Sequence, residues 1–198
     1  MRLYMIRHGE TKGNREQRYV GTTDEGLLPE SFTRLKNRKM PEVDKLYISP
    51  MKRCVETAGL LYPYCEPVVV EEFRECDFGE FEYRNYAELN GNPAYQHFID
   101  TMGAEGFPGG ESLQEFQERC LRGMERILGE ITDGESLREE QNIGLVIHGG
   151  TIMSLLDKYS YPHRDYYEWQ TGNGSGYAAE LIKDSDTGEI HFSNIVKL

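Results

Sequence analysis

An α/β fold with a mostly parallel central sheet is the architecture the sequence predicts, and three observations predict it. Short β-prone runs alternate with helical patterns along the chain, the order that stacks helices against a parallel sheet. Three of these runs stop at Gly, Ser-Pro or His-Gly-Gly, as buried strands do where they feed a loop. The chain is 198 residues long, which suits one medium-sized domain around a single substantial core. No internal repeat, low-complexity stretch or linker interrupts it, so residues 1–198 read as one domain.

Taken in order, residues 2–7 form the first β-prone run, which stops at Gly9. The second, Lys45 to Ser49, leads into a helical stretch from Met51 to Leu61, with Pro50 in the first turn, where its missing N–H costs nothing. Val68 to Val70 is the third strand. Residues 83–110 are rich in Asn, Gly, Pro and Tyr and carry two short helical stretches, Tyr86 to Asn90 and Ala94 to Thr101. Long irregular segments inside a compact domain are usually functional, so a lid that sets substrate specificity and a solvated insertion are the two readings here. From Ser112 a long helix is signalled by the Ser112–Glu115 capping box. Leu113, Phe116, Cys120, Met124, Ile127 and Ile131 then recur at helical spacing. Ile143 to Ile147 is a further strand, closed by His148-Gly149-Gly150 and followed by apolar Ile152, Met153, Leu155 and Leu156. Tyr177 to Ile182 and Ile190 to Val196 form a hairpin around a Ser-Asp-Thr-Gly turn.

Charge and composition exclude several functions. The formal net charge is -12 and no basic stripe exists, whereas nucleic-acid binders gain affinity by replacing phosphate counterions with clustered cations. No apolar run approaches the roughly 18 residues of a membrane span, and the first residues lack a signal-peptide core, which predicts a cytoplasmic protein. Cys54, Cys65, Cys76 and Cys120 form neither a CxxC pair nor a cluster with histidines at ligand spacing, so reduced thiols and no metal site are expected. An acidic chain that handles an anion must gather its few cations in one pocket.

Three segments do this at strand ends: Arg7-His8-Gly9-Glu10-Thr11, Ser49-Pro50-Met51-Lys52-Arg53 and His148-Gly149-Gly150. Ligands of open α/β sheets bind outside the carboxyl ends of the strands. Arg7 and Arg53 offer guanidinium forks for phosphate oxygens. A neutral ring nitrogen of His8 can attack phosphorus and form a covalent intermediate. His148 can donate to a non-bridging oxygen, and Gly9, Gly149 and Gly150 let substrate approach the backbone. Singly, each has an ordinary alternative: structural histidines, a solvated Arg53, an Arg7 paired with Glu10. Their joint occurrence in a chain with five histidines points to an oxyanion site.

The segment Arg7-His8-Gly9-Glu10-Thr11-Lys12-Gly13-Asn14 resembles the RHGETxxN signature of the histidine phosphatase superfamily, which includes phosphoglycerate mutases and α-ribazole phosphatases. Further segments are similar in order: Ser49-Pro50 through Arg53 to Thr57-Ala58, Phe73 to Gly79, Pro108-Gly109-Gly110-Glu111-Ser112, and Val146 to Gly150. The resemblance implies a phosphoglycerate mutase-like three-layer αβα sandwich. It also implies a phosphomonoesterase without metal or other cofactor, acting on a small phosphorylated metabolite through a phosphohistidine, as a monomer or homodimer. His8 is then the nucleophile, and Arg7, Arg53 and His148 complete the phosphate pocket. Glu75 is the general acid and later the base, a choice that rests on the motif, since spacing alone leaves Glu72, Asp77 and Glu80 open. Asn14 contacts the phosphoryl group or orients His8, while Gly21, Thr22 and Gly149 join Arg7, Asn14, Arg53 and His148 in binding substrate.

The chain departs from the family where Gly26-Leu27-Leu28-Pro29-Glu30-Ser31 opens a short basic segment in place of a leucine-threonine turn and regular helix. It lacks the mutase branch's adjacent arginine pair, so it resembles the phosphatase branch, including α-ribazole phosphatases, more closely. A phosphoglycerate mutase, or a non-catalytic phosphate-binding module on the same fold, is the alternative.

Overall fold

The computed structural model describes residues 1–101, 103, 105–132 and 141–198. Among these residues, the strands are β1 (Arg2–Arg7), β2 (Lys45–Ile48), β3 (Pro67–Val69), β4 (Asn142–Ile147), β5 (Gly176–Lys183) and β6 (Ile190–Lys197). They form one sheet in the order β3-β2-β4-β1-β5-β6. The first four in that order run parallel, whereas β5 pairs antiparallel with β1, and β6 antiparallel with β5. The helices are α1 (Lys12–Arg15), α2 (Pro29–Lys36), α3 (Lys52–Leu61), α4 (Tyr86–Leu89), α5 (Pro93–Asp100), α6 (Leu113–Thr132) and α7 (Gly149–Tyr159). The predicted α/β class and mostly parallel sheet are present, with the predicted C-terminal hairpin as an antiparallel edge.

Strand alternation builds the three layers. Leu3 and Met5 of β1 pack with Met124, Ile127, Ile152 and Leu155 of α6 and α7. Ile6 turns to the other face, where Leu35 of α2 and Cys54 and Ala58 of α3 lie. Successive side chains point to opposite faces of a strand, and both faces here are covered, so β1 and β4 read as nearly continuous apolar runs. Each fully buried aliphatic side chain on these faces contributes about 1.5–3 kcal/mol relative to exposure.

Local chemistry explains the helix starts and two departures from expectation. The Ser112–Glu115 capping box forms: the Ser112 N–H donates to the Glu115 carboxylate at 2.8 Å, and the Glu115 N–H to Ser112 Oγ at 3.2 Å. Pro50, by contrast, precedes its helix, because Met51 is the extended N-cap residue and α3 begins at Lys52. Ser49 Oγ accepts the Met51 N–H at 3.4 Å, so Ser49-Pro50 turns the chain from strand to helix without entering the first turn. The segment after Gly26 does contain a regular helix, α2. Pro29 occupies its start, Glu30 lies in its first turn, and Arg34 and Lys36 in its last, charges placed to favour the helix dipole.

Within 83–110, α4 and α5 lie where predicted; residues 102 and 104 of that segment fall outside the described residues. The segment is pinned by aromatic rings. Phe98 stacks on Phe107 with centroids 4.7 Å apart, Phe107 meets Phe78 at 4.9 Å, and Tyr95 meets Phe81 at 5.4 Å. Cys54, Cys65, Cys76 and Cys120 are free thiols. No helix among the described residues is long and apolar enough to cross a membrane.

Candidate active site

The two strand-end histidines sit side by side. β1 and β4 are adjacent and in register, with Arg7 opposite Ile147. The His8 N–H continues the ladder by donating to the Ile147 carbonyl at 3.0 Å. His8 and His148 therefore leave neighbouring strands at the same level, and their ring centroids are 5.2 Å apart. His8 Nδ1 lies 2.7 Å from the Gly9 carbonyl, an acceptor that places the ring proton on Nδ1 and leaves the lone pair on Nε2. Burial pushes the His8 pKa well below the usual imidazole range, and the Arg53 and Arg7 charges push it further.

His148 is fully buried, and its pKa is likewise depressed, first by burial and then by Arg53. Its Nε2 is 2.8 Å from Ser49 Oγ. That oxygen also accepts the Met51 N–H, and its own proton can go to Nε2, the arrangement that puts the His148 proton on Nδ1. Nδ1 faces Glu75, with Oε2 3.6 Å away. In that arrangement the neutral His148 offers its Nδ1–H as a donor.

Both arginines are anchored by backbone carbonyls. Arg7 Nη1 donates to the Thr171 carbonyl at 2.7 Å and does not pair with Glu10, which meets Arg15 at 2.9 Å. Arg53 is fully buried and not a solvated helix residue. Its Nη1 donates to the Thr23 carbonyl at 2.9 Å and its Nη2 to that of Gly21 at 3.0 Å. Arg7 Nε and Arg53 Nε are buried without a partner among the described residues. One turn beyond Arg53, Thr57 Oγ1 accepts the Gly9 N–H at 2.9 Å and donates to the Arg53 carbonyl at 2.7 Å, tying α3 to the loop that carries His8.

Glu75 is the carboxyl that reaches His148, Oε2 lying 3.6 Å from Nδ1. Glu72 pairs with Arg126 at 3.1 Å, Asp77 Oδ1 accepts the Gly79 N–H at 2.9 Å, and Glu80 is exposed. Burial raises the Glu75 pKa above its ordinary value, although Arg53, the Cys76 amide and Arg7 oppose the rise. Its side chain lies in the wall of two cavities. One, of about 510 Å3, is lined also by Arg7, Gly149, Gly150, Met153 and Lys197. The other, of about 280 Å3, is bounded by Gly21, Thr22, Arg74 and Arg119.

The remaining expected residues divide. Gly149 and Thr22 line these cavities, Thr22 from an exposed position. Gly21 lines the smaller one, but its amide donates to the Glu82 carboxylate at 3.0 Å, so its contribution is to hold Arg53 through its carbonyl. Asn14 Oδ1 accepts from Asn173 Nδ2 at 3.0 Å, and Asn173 Nδ2 also reaches the His8 backbone carbonyl at 3.3 Å, so Asn14 is linked to the His8 backbone through Asn173. Thr171, Asn173, Glu82 and Arg119 were not read from the sequence as parts of the site. Most of their contacts go to backbone atoms far away in the chain, which leave no local pattern.

Two buried histidines, with Arg7, Arg53 and the Glu75 carboxyl acting on their charge, suit phosphoryl transfer, and comparison with known proteins agrees. The model of the histidine phosphatase superfamily (branch 1) matches residues 3–192. The chain belongs to the histidine phosphatase superfamily. Among relatives, the adenosylcobalamin/alpha-ribazole phosphatase of Escherichia coli is 30% identical over 171 residues, covering 79% of this chain and 77% of that one. Phosphoglycerate mutase-like protein 4 of Arabidopsis thaliana is 30% identical over 167 residues, covering 79% and 70%. The alpha-ribazole phosphatase structure from Shigella flexneri superposes with a TM-score of 0.80 over 97% of this chain and 94% of its own, at 22% identity, a likeness of fold. As a histidine phosphatase, the chain is a hydrolase of phosphate monoesters.

Proposed function

We propose that the chain hydrolyses a small phosphorylated metabolite through a phosphohistidine at His8. The observation that carries this reading is the pair of buried, unpartnered Nε–H groups of Arg7 and Arg53 beside an imidazole whose Nε2 holds a lone pair. A buried donor without an acceptor costs about 1–3 kcal/mol, more when charged, and a phosphoryl group supplies acceptors to both arginines.

In the first step His8 Nε2 attacks phosphorus, the P–O ester bond breaks, and Glu75 gives its proton to the leaving oxygen, releasing an alcohol. Arg7, Arg53 and the Nδ1–H of His148 hold the three non-bridging oxygens as their charge redistributes. In the second step water attacks phosphorus while the Glu75 carboxylate takes its proton, the P–N bond breaks, and phosphate and neutral His8 are regenerated. Neutralisation by these residues needs no metal.

Residues 83–110 carry substrate selection within the single domain 1–198. The enzyme would act in the cytoplasm, as a monomer or homodimer with neither nucleic-acid nor membrane partner, in keeping with its net charge of -12. α-Ribazole phosphate, named in the E. coli relative, heads the substrates to be tried.

The test is a trap. Rapid acid-free quenching after mixing with a 32P-labelled monoester should leave alkali-stable, acid-labile label on the native protein, mapped to His8. His8→Ala should remain folded and lose turnover. Full activity in that variant, or label on another residue, overturns the mechanism. Return of the label to a phosphoglycerate acceptor, with little free phosphate, would mark a mutase instead.

A further inference from the structure

The acid loop has no regular structure of its own. Glu75 follows a single 3₁₀ turn, Glu71–Phe73, and its carboxyl is held locally by one bond, Oε1 accepting the Cys76 N–H at 3.0 Å. What holds the loop comes from α6. Arg119 Nη1 donates to the carbonyls of Glu72 at 2.7 Å and Arg74 at 2.9 Å, and Nη2 to that of Glu75 itself at 3.2 Å. The other two bonds form a fork on Glu111, Nε to Oε1 at 2.8 Å and Nη2 to Oε2 at 2.6 Å. Glu111 closes the loop from the other end. Its Oε2 accepts the Asp77 N–H at 3.0 Å, and its own N–H donates to the Asp77 carbonyl at 2.9 Å.

A guanidinium has five N–H donors, so these bonds engage all of them and leave none for a substrate oxygen, although Arg119 borders the smaller cavity. We propose that the Arg119–Glu111 pair positions the Glu75 carboxyl, bracketing residues 72–77 on both sides so that the proton it gives meets the leaving oxygen. The proposal rests on the reading of Glu75 as the acid. Arg119 and Glu111 are positioning residues that act through the backbone of the loop. A lysine at 119 would keep a charge but not the planar fork, so it could not hold three carbonyls and a carboxylate together. Against burial, which raises it, the Arg119 bonds and the Asp77 amide hold the Glu111 carboxyl below its ordinary range, so the pair stays ionised through the neutral region.

The experiment compares Arg119→Lys, Arg119→Met and Glu111→Gln with Glu75→Gln. The readouts are kcat/KM for an alkyl phosphate and for p-nitrophenyl phosphate, plus melting temperature. Misplacing a reacting group by about 1 Å costs about 10²-fold, the loss expected for the alkyl phosphate in Arg119→Met and Arg119→Lys. With p-nitrophenyl phosphate, whose leaving group departs without a proton, the loss should be much smaller. A merely structural role would slow both substrates alike, and that result, or no loss in either, overturns the proposal. Should Arg119→Met fail to fold, Arg119→Lys and Glu111→Gln report the same split. If Glu75→Gln shows the split and these variants do not, the positioning role alone falls. If Glu75→Gln itself shows none, the acid assignment fails and the proposal with it.

Discussion

An imidazole attacks phosphorus only while one ring nitrogen carries no proton, and His8 and Glu75 are driven in opposite directions by the same burial. Burial and the two arginines keep His8 neutral well below its ordinary value of 6.5, whereas burial lifts Glu75 above its ordinary 4.5. The proposed first step needs neutral His8 together with protonated Glu75, so its rate on an alkyl phosphate should fall as pH rises through the lifted Glu75 value. With p-nitrophenyl phosphate that alkaline fall should be absent, since no proton is needed by the leaving oxygen. Glu75→Gln should cut kcat/KM for alkyl phosphates by about 10²–10⁴-fold, the scale of general acid catalysis, and cut p-nitrophenyl phosphate far less. Equal losses would mean that Glu75 shapes the pocket without donating. No loss in either would move the search for the acid to Asp77 or Glu80.

The elements that were legible in the sequence are those whose signals are local. β1, β4, α3 and α6 showed themselves through apolar period, strand-end Gly or Ser-Pro, and a capping box, and His8, His148 and Arg53 followed because they sit at those ends. Pro50 was placed inside the first turn of the helix it precedes and α2 was missed, because a Ser-Pro turn and a proline-started helix differ by only a residue or two in pattern. Arg119 and Thr171 were hidden for another reason: Arg119 donates to backbone carbonyls and Thr171 accepts through its own, across 44 to 164 residues, and a carbonyl is the same at every position. The loop at Gly21 shows how tightly such contacts are built. A Cβ there would overlap the Cys76 carbonyl, while the Gly21 carbonyl holds Arg53. Gly21→Ala should therefore cost about 1–3 kcal/mol, as overpacking does, and lower activity by shifting Arg53. A variant with native melting temperature and native kcat/KM would show that the loop does not fix the arginine.

At the scale of the whole molecule, the buried histidines couple folding to pH. Their folded pKa values lie below 6.5, so the unfolded chain binds protons that the folded chain refuses. Their contribution to stability is complete above 6.5 and is lost as pH falls, by up to about 1.4 kcal/mol per pH unit for each histidine. Glu75, between 4.5 and its lifted value, and the exposed His97, raised by its Glu105 partner, work the other way, since there the folded state holds the extra proton. The melting temperature should fall between pH 7 and 5, and more gently in His148→Asn; identical slopes in both proteins would contradict the linkage. The placement of the histidines on neighbouring parallel strands carries a last consequence. Strands in a sheet repeat every 4.7–4.9 Å, close to the 5.2 Å between the two rings, so the gauge of the histidine pair is set by backbone hydrogen bonding. The loops around the pair can differ in sequence without recalibrating that spacing.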